Sequence, residues 1–208
     1  MKLTNTSSLL ILAMLLAAAR CPALADSAPR ANAGSNGERN HHLGSTLFLL
    51  GNLAPGDSPY FFQLNYGYHF TPRDVVTTEA ITWTYYEPLG TYGSSERSYP
   101  GKVRALGIGV GYQRLLPRKL YLSMQAVPFR QTFYDTEDVR IQHGFQLFLQ
   151  FRFGGHFEFF SRRWFLEPSV AFNYWPINTH FPASFKEIER GKHNYFLGEP
   201  GLHFGWKF

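Results

Sequence analysis

Six side chains carry most of the acid–base chemistry this chain could do inside a fold: Glu79, Arg152, Glu167, Glu199, His203 and Lys207. They fall at polar positions of alternating segments, so they are expected to share an interior. Carboxylates, an imidazole and two cations gathered there could relay a proton or an ion, or act as an acid–base pair. They could equally form a salt-bridge and hydrogen-bond network, because charges held away from water need partners. We carry the structural network reading, since ion-pair networks perturb such groups without any catalytic role.

A lipid-modifying hydrolase is the sharper alternative. Ser123, Ser169, His143, His156 and His203, with Glu167 and Glu199, supply the residue types of a Ser–His–acid site. None stands in a motif that marks such a site, so no catalytic residue is assigned and whether the chain is an enzyme stays open, with the balance against it. No cofactor and no metal is expected. His41-His42 is a weak ligand pair in a polar stretch and reads as solvated tail.

These residues need strands to position them. From residue 44 onward eight strand-like segments follow: 44–53, 60–70, 74–87, 102–116, 119–133, 139–159, 163–175 and 193–208. Each is long enough for a tilted membrane crossing of about 9–11 residues. In the sixth, Phe145, Leu147, Leu149, Phe151 and Phe153 alternate with a face holding Gln146, Gln150 and Arg152. In the eighth, Leu202, Phe204, Trp206 and Phe208 alternate with Gly201, His203, Gly205 and Lys207. In the fourth, Leu106, Ile108, Val110 and Tyr112 would face outward, and Gly107, Gly109, Gly111 and Gln113 inward. That glycine stripe leaves room for Glu79, Ile81, Trp83 and Tyr85 of the third segment, because small barrels are filled with side chains. The outward phase of segments one and three stays open.

The links alternate in length. Residues 71–73, 117–118 and 161–162 are tight turns, whereas 54–59, 88–101, 134–138 and 176–192 are longer. Short turns on one side and long loops on the other fit an outer-membrane barrel. Pro128, Pro168 and Pro200 then call for bulges or kinks, because a closed barrel offers no edge. In 176–192, Ser184-Phe185-Lys186-Glu187 has capping-box spacing, and Gly191 could stop a short helical lid. Loops 88–101 and 176–192 are the candidate contacts for an extracellular ligand. Arg73, Arg118, Lys119, Arg162 and Arg163 would meet headgroup phosphates beside a girdle of Phe157, Phe159 and Trp164.

The N-terminus has its own character. Lys2 precedes an apolar run over 9–19, and Ala23-Leu24-Ala25 is a small-residue cleavage site, so 1–25 reads as a signal peptide. Cys21 is the only cysteine and reads as incidental, because Arg20 fits a lipobox poorly. Residues 26–42 read as a disordered periplasmic lead-in, and 43–208 as the barrel. The chain holds 20 Lys+Arg against 15 Asp+Glu, and two of the basic residues fall in the leader. That balance does not argue for nucleic acid. Aromatic residues make up 17% of the chain, which suits lipid-facing girdles. The mean hydropathy of −0.23 excludes little, because alternation dilutes it.

The last eight residues, Gly201-Leu202-His203-Phe204-Gly205-Trp206-Lys207-Phe208, resemble the C-terminal signal read by the barrel assembly machinery of bacterial outer membranes. Those signals end in Phe after alternating aromatic or apolar residues, here Leu202, Phe204 and Trp206. His203 stands where Gly is often found. In plan the chain is similar to small eight-stranded barrels of the outer membrane protein A and X type. The resemblance implies an all-β, antiparallel, eight-stranded up-and-down transmembrane β-barrel in the bacterial outer membrane. It implies outer-membrane lipid and the assembly machinery as partners. A structural or surface-interaction role without an open pore is expected. The alternatives are the hydrolase and a soluble lipocalin-like ligand-binding barrel.

Overall fold

The computed structural model describes residues 39–53, 59–90 and 99–208. The signal peptide 1–25 with its cleavage site, residues 26–38 of the lead-in, and Tyr92 of the candidate loop lie outside those residues. Nine strands follow in chain order: β1 (His41–Thr46), β2 (Phe62–His69), β3 (Asp74–Tyr85), β4 (Lys102–Leu116), β5 (Leu120–Tyr134), β6 (Arg140–Gly155), β7 (Phe157–Phe159), β8 (Trp164–Thr179) and β9 (Tyr195–Lys207). All pairings are antiparallel. Consecutive strands pair up to β6, β6 pairs with β8, β8 with β9, and β9 with β1. The sheet therefore closes into a ring of eight, an all-β antiparallel barrel with up-and-down connections.

Alternation sets the two faces. Along β4 the inward row Val103, Ala105, Gly107 and Gly109 is buried, while Leu106, Ile108 and Val110 are 59%, 71% and 61% exposed. The register places Glu79 opposite Gly109, Ile81 opposite Gly107, and Trp83 opposite Ala105, so large side chains of β3 face small ones of β4. The space at those glycines is also taken from the far side. A Cβ at Gly107 would lie 2.7 Å from both Phe129 and Val127 of β5. The open parities resolve: His42 and Thr46 of β1, and Glu79 and Ile81 of β3, point inward and are buried.

Two expected segments change at their ends. The first, expected over 44–53, starts as a strand at His41 and stops at Thr46, and Leu47–Leu53 winds as a 3-10 turn. Asn52 drives this change. Its side chain donates to the Phe61 carbonyl (2.7 Å) and accepts from the Phe61 N–H (2.7 Å), doing for β2 what a neighbouring strand would do. The lead-in is corrected with it, because His41 and His42 belong to the ladder and not to a tail.

The sixth segment, expected over 139–159, breaks at His156. β7 continues in the same register against β8, and the ladder lapses over Gly155 and His156, which that register sets opposite Pro168, with no N–H to offer, and Glu167. Pro128 and Pro168 sit in continuous registers with β6 and β9 respectively. Pro200 stands two residues from a bulge at Gly198 (φ +83).

At one end of the barrel the links are short. Arg118 and Lys119 each turn at φ +61 between β4 and β5, and Phe160, Ser161 and Arg162 turn between β7 and β8. Phe208 closes on β1 there, exchanging backbone bonds with His41 (2.9 and 3.2 Å). At the other end lie the long links, including helix α1 (Ala183–Glu189). Its N-cap is Pro182 with no side-chain cap bond, so the Ser184–Glu187 spacing does not form a capping box, while Gly191 (φ +85) follows its last turn as expected.

Candidate functional site

The lumen is built in layers, each set by the inward phase of several strands. At the short-turn end, Glu167 of β8 accepts from Gln113 Nε2 of β4 (2.7 Å) and bonds His156 Nδ1 (2.7 Å). The other nitrogen of His156 lies 3.3 Å from Glu158 and 3.3 Å from Lys207 Nζ, and Lys207 donates to Glu158. Phe165 spans the middle of this layer. Its ring stacks on His156 (5.4 Å), meets His42 edge-on (5.1 Å) and lies 5.9 Å from the Lys207 ammonium. Gly205 admits that ring, since a Cβ there would sit 2.3 Å from it. Every charge in the layer has a partner, which buried charge requires.

A His–carboxylate pair is two-thirds of a nucleophile-activating site. Here the second nitrogen of His156 is committed to Glu158 and Lys207 rather than to a serine. Ser169 accepts from Arg152 Nη1 (3.0 Å), and His143 is exposed on the outer face beside Arg130 and Thr132. Among the described residues no Ser–His hydrogen bond forms, and no group of three metal-ligating side chains converges.

The next layer turns on Arg152 of β6. Its guanidinium crosses the lumen over Gly201, where a Cβ would sit 2.1 Å from Nη1. It donates to Ser169 (3.0 Å) and Gln150 (3.3 Å) and lies 3.8 Å from Glu199. Asn173 bridges, donating to Glu199 and accepting from Gln150 (2.9 Å). Across the lumen Glu79 accepts from Gln63 Nε2 (2.6 Å). His203 lies between the two layers, and its buried Nδ1 has no hydrogen-bond partner among the described residues.

Above this floor the lumen widens into a cavity of about 640 Å³. Its walls are Ile81, Trp83, Val127, Phe129 and Phe148, and its floor is the Glu79, Gln150, Arg152, Glu199 and His203 set. At the far end Phe185 of α1 packs on Phe133 (5.2 Å) and Tyr99 (4.8 Å), over the inward-facing Val103. Tyr99 donates to Glu189. Burial pushes the Glu189 carboxyl above its ordinary range even though that phenol pulls it back, and burial also raises the Tyr99 phenol.

All six expected lumenal residues therefore face inward, but they belong to separate groups. Glu167 and Lys207 lie in the lower layer, Arg152 and Glu199 in the upper, and Glu79 opposite them. Gln113 faces the lumen as its phase predicts, whereas the sequence reading missed His42, Gln63, Glu158, Asn173 and the inward Phe148 as lumen residues. Gln63 and Asn173 stand in phase with inward neighbours, so periodicity held the signal. Glu158 did not reveal itself, because its neighbours read as an aromatic girdle. Of the terminal signal residues, Leu202, Phe204, Trp206 and Phe208 share the outer face, and Trp206 stacks on Phe208 (5.1 Å).

The geometry defines a class: a closed eight-stranded barrel, sealed at one end by ion pairs and hollowed by an apolar chamber at the other. Comparison of the chain with family models and with curated proteins gives no match.

Proposed function

We propose that the chain is an integral protein of the bacterial outer membrane, with a structural or surface-interaction role and no open pore. One row of β4 carries this reading. Outward from the barrel stand, in order, Arg104, Leu106, Ile108, Val110, Tyr112 and Arg114. The two arginines are ten residues apart, or about 33 Å along a strand. At a tilt of 35–45° that is roughly 25 Å along the barrel axis, the height of an outer-membrane apolar band. Water gives no reason to expose three large aliphatic side chains in one row between charged ends, and lipid does. Neighbouring strands extend the band with Leu64, Leu122, Phe151, Phe153 and Val170, all exposed. Around the short-turn end Tyr68, Phe70, Phe160, Trp164, Trp206 and Phe208 are exposed together, as an interfacial girdle would be.

The plugged lower layer supports the absence of a pore, because its paired charges and Phe165 fill the lumen. In this reading the C-terminal row is the assembly signal, and the long loops face outside the cell. Fractionation is the test. The mature protein should be recovered with outer membranes, released only by detergent, and run at a heat-dependent position on a gel. Recovery in the soluble fraction without detergent would overturn the proposal in favour of a lipocalin-like barrel.

A further inference from the structure

The barrel wall is uneven at one seam. The ladder between β1 and β9 ends at the pair Thr46 and His203, yet β9 runs on to Tyr195. Residues 197–202 pair with β8 on one side, and among the described residues no strand flanks them on the other. The 3-10 turn Leu47–Leu53 stands in the gap, but Asn52 ties it to the β2 side. Towards β9 the turn lies alongside the strand, and among the described residues the hydrogen bond that reaches this stretch is the one from Thr46 Oγ1 to the Leu202 carbonyl (3.3 Å). Pro200 falls in this stretch, which gives it the edge that proline requires in a sheet.

The seam joins the chamber to the outer face. Phe48 and Pro200, on opposite rims, both line the cavity and both are exposed. The outer rim is apolar: Leu47, Phe48, Leu50 and Leu197 are all exposed. Meanwhile α1 and its aromatic cluster pack on Val103 and Phe133 at the long-loop end, where Pro88 and Leu89 line the chamber. An opening with apolar lips in the side wall leads sideways into lipid.

The chamber's lining selects its occupant. A cavity of about 640 Å³ falls within the ~300–1,000 Å³ of small-molecule sites. Its walls are aliphatic and aromatic, which suits one acyl chain. Its floor offers carboxylates at Glu79 and Glu199, amides at Gln63, Gln125 and Gln150, and the orphaned Nδ1 of His203. The one guanidinium there already serves Ser169, Gln150 and Glu199. An anionic head would meet two carboxylates and no uncommitted cation, whereas hydroxyls could both donate and accept. We infer that the seam is a lateral portal through which the lumen takes up a single-chain amphiphile with an uncharged, hydroxyl-bearing head, of the monoacylglycerol class. This inference rests on the outer-membrane reading.

Four tryptophans make the test. Trp164 and Trp206 are exposed on the outer face, while Trp83 lines the chamber and Trp175 packs against its Phe148 wall. The mature protein is reconstituted in phosphatidylcholine vesicles with a nitroxide-labelled monoacylglycerol, and in parallel with the nitroxide-labelled fatty acid of the same chain length. In the wild type, Trp164 and Trp206 should be quenched by both probes in proportion to their membrane content. No quenching of them would sink the membrane reading itself. In the Trp164→Phe/Trp206→Phe variant, emission from Trp83 and Trp175 should be quenched saturably by the monoacylglycerol probe and restored by unlabelled monoacylglycerol. Absence of that saturable component in folded, inserted protein overturns the site and leaves the membrane reading standing. Equal saturable quenching by the anionic probe overturns the head-group assignment. Phe48→Asp in the same background places a charge in the apolar lip. It should slow the onset of quenching about tenfold, the effect of ~1.4 kcal/mol on a barrier. An unchanged rate overturns lateral entry.

Discussion

Ile108→Arg separates a barrel in lipid from one in water. Ile108 is 71% exposed, lies on the outer row of β4 midway between Arg104 and Arg114, and pairs with Ala80 of β3. In water the substitution touches no core contact, and surface changes of this kind stay within about 0.5 kcal/mol. At the midplane of a bilayer an arginine on the outer face of a barrel costs about 2–4 kcal/mol. That is roughly a 30- to 1,000-fold drop in the folded-to-unfolded ratio, at 1.4 kcal/mol per tenfold. The same change at Leu106, one outward position from Arg104, should cost less, because the penalty falls to about 0–1 kcal/mol near the interface. The assay is urea-dependent folding in vesicles, followed by tryptophan emission and by the heat-shifted gel band. A larger cost at Ile108 than at Leu106 is the depth signature. Equal costs, or none above about 0.5 kcal/mol at Ile108, would refute the membrane placement of this row.

Three further outcomes follow from the interior. Gly107→Leu should destabilise by about 1–3 kcal/mol through overpacking, because its Cβ alone would lie 2.7 Å from Val127 and Phe129; the midpoint of urea unfolding reads this. Glu167→Leu should cost about 3–5 kcal/mol by stranding buried polar partners, namely His156 Nδ1 and Gln113 Nε2, and a neutral result in the same titration would show that the lower layer is not load-sharing. The α1 lid should loosen as pH rises. The docked Glu189 carboxyl holds its proton above its ordinary 4.5, so docking is strongest below that value and weakens as pH climbs through the raised one. Protease cleavage in residues 180–194 should increase across that window, and Glu189→Gln should remove the dependence.

Alternation made most of the barrel legible. Where one face of a strand was aliphatic and the other held Gly, Gln or charge, as in β4, β6 and β9, phase follows from the residues alone, and in β4 the extent does too. The departures have local causes that a period-two pattern does not carry. Residues 47–53 read as a strand continuation because Leu47, Leu49 and Leu50 are apolar, but one amide, Asn52, satisfies the Phe61 backbone and frees the turn from the ladder. The ladder lapses over Gly155 and His156, opposite Pro168 and Glu167, and the missing N–H of Pro168 bears on that only once the register with β8 is known. The lumenal polar set was visible as a set. Its division into layers was not, because Glu158 enters by way of the short β7 and Arg152 reaches Ser169 only across the vacant position of Gly201.

The prolines tie these departures to the chamber. In a closed barrel a strand proline removes a ladder bond that no edge excuses. Here the cost is met by position. Pro168 faces the interruption between β6 and β7, and Pro200 follows the Gly198 bulge in the length of β9 that β1 does not reach. The same two features shape the lumen. Beside the first, His156 keeps the inward phase of Gln150 and Arg152 and seals the short-turn end, bonding Glu167. The second turns Phe196 and Glu199 to the same inward side despite their odd spacing, setting an apolar ring and a carboxylate beside the seam. A strand sequence of unbroken alternation would have given a tighter wall and a uniformly filled interior. The bulge and the short β1 instead leave a hollow with one polar end and one apolar lip, which is why the chamber, rather than the ion pairs below it, is where a ligand should be sought.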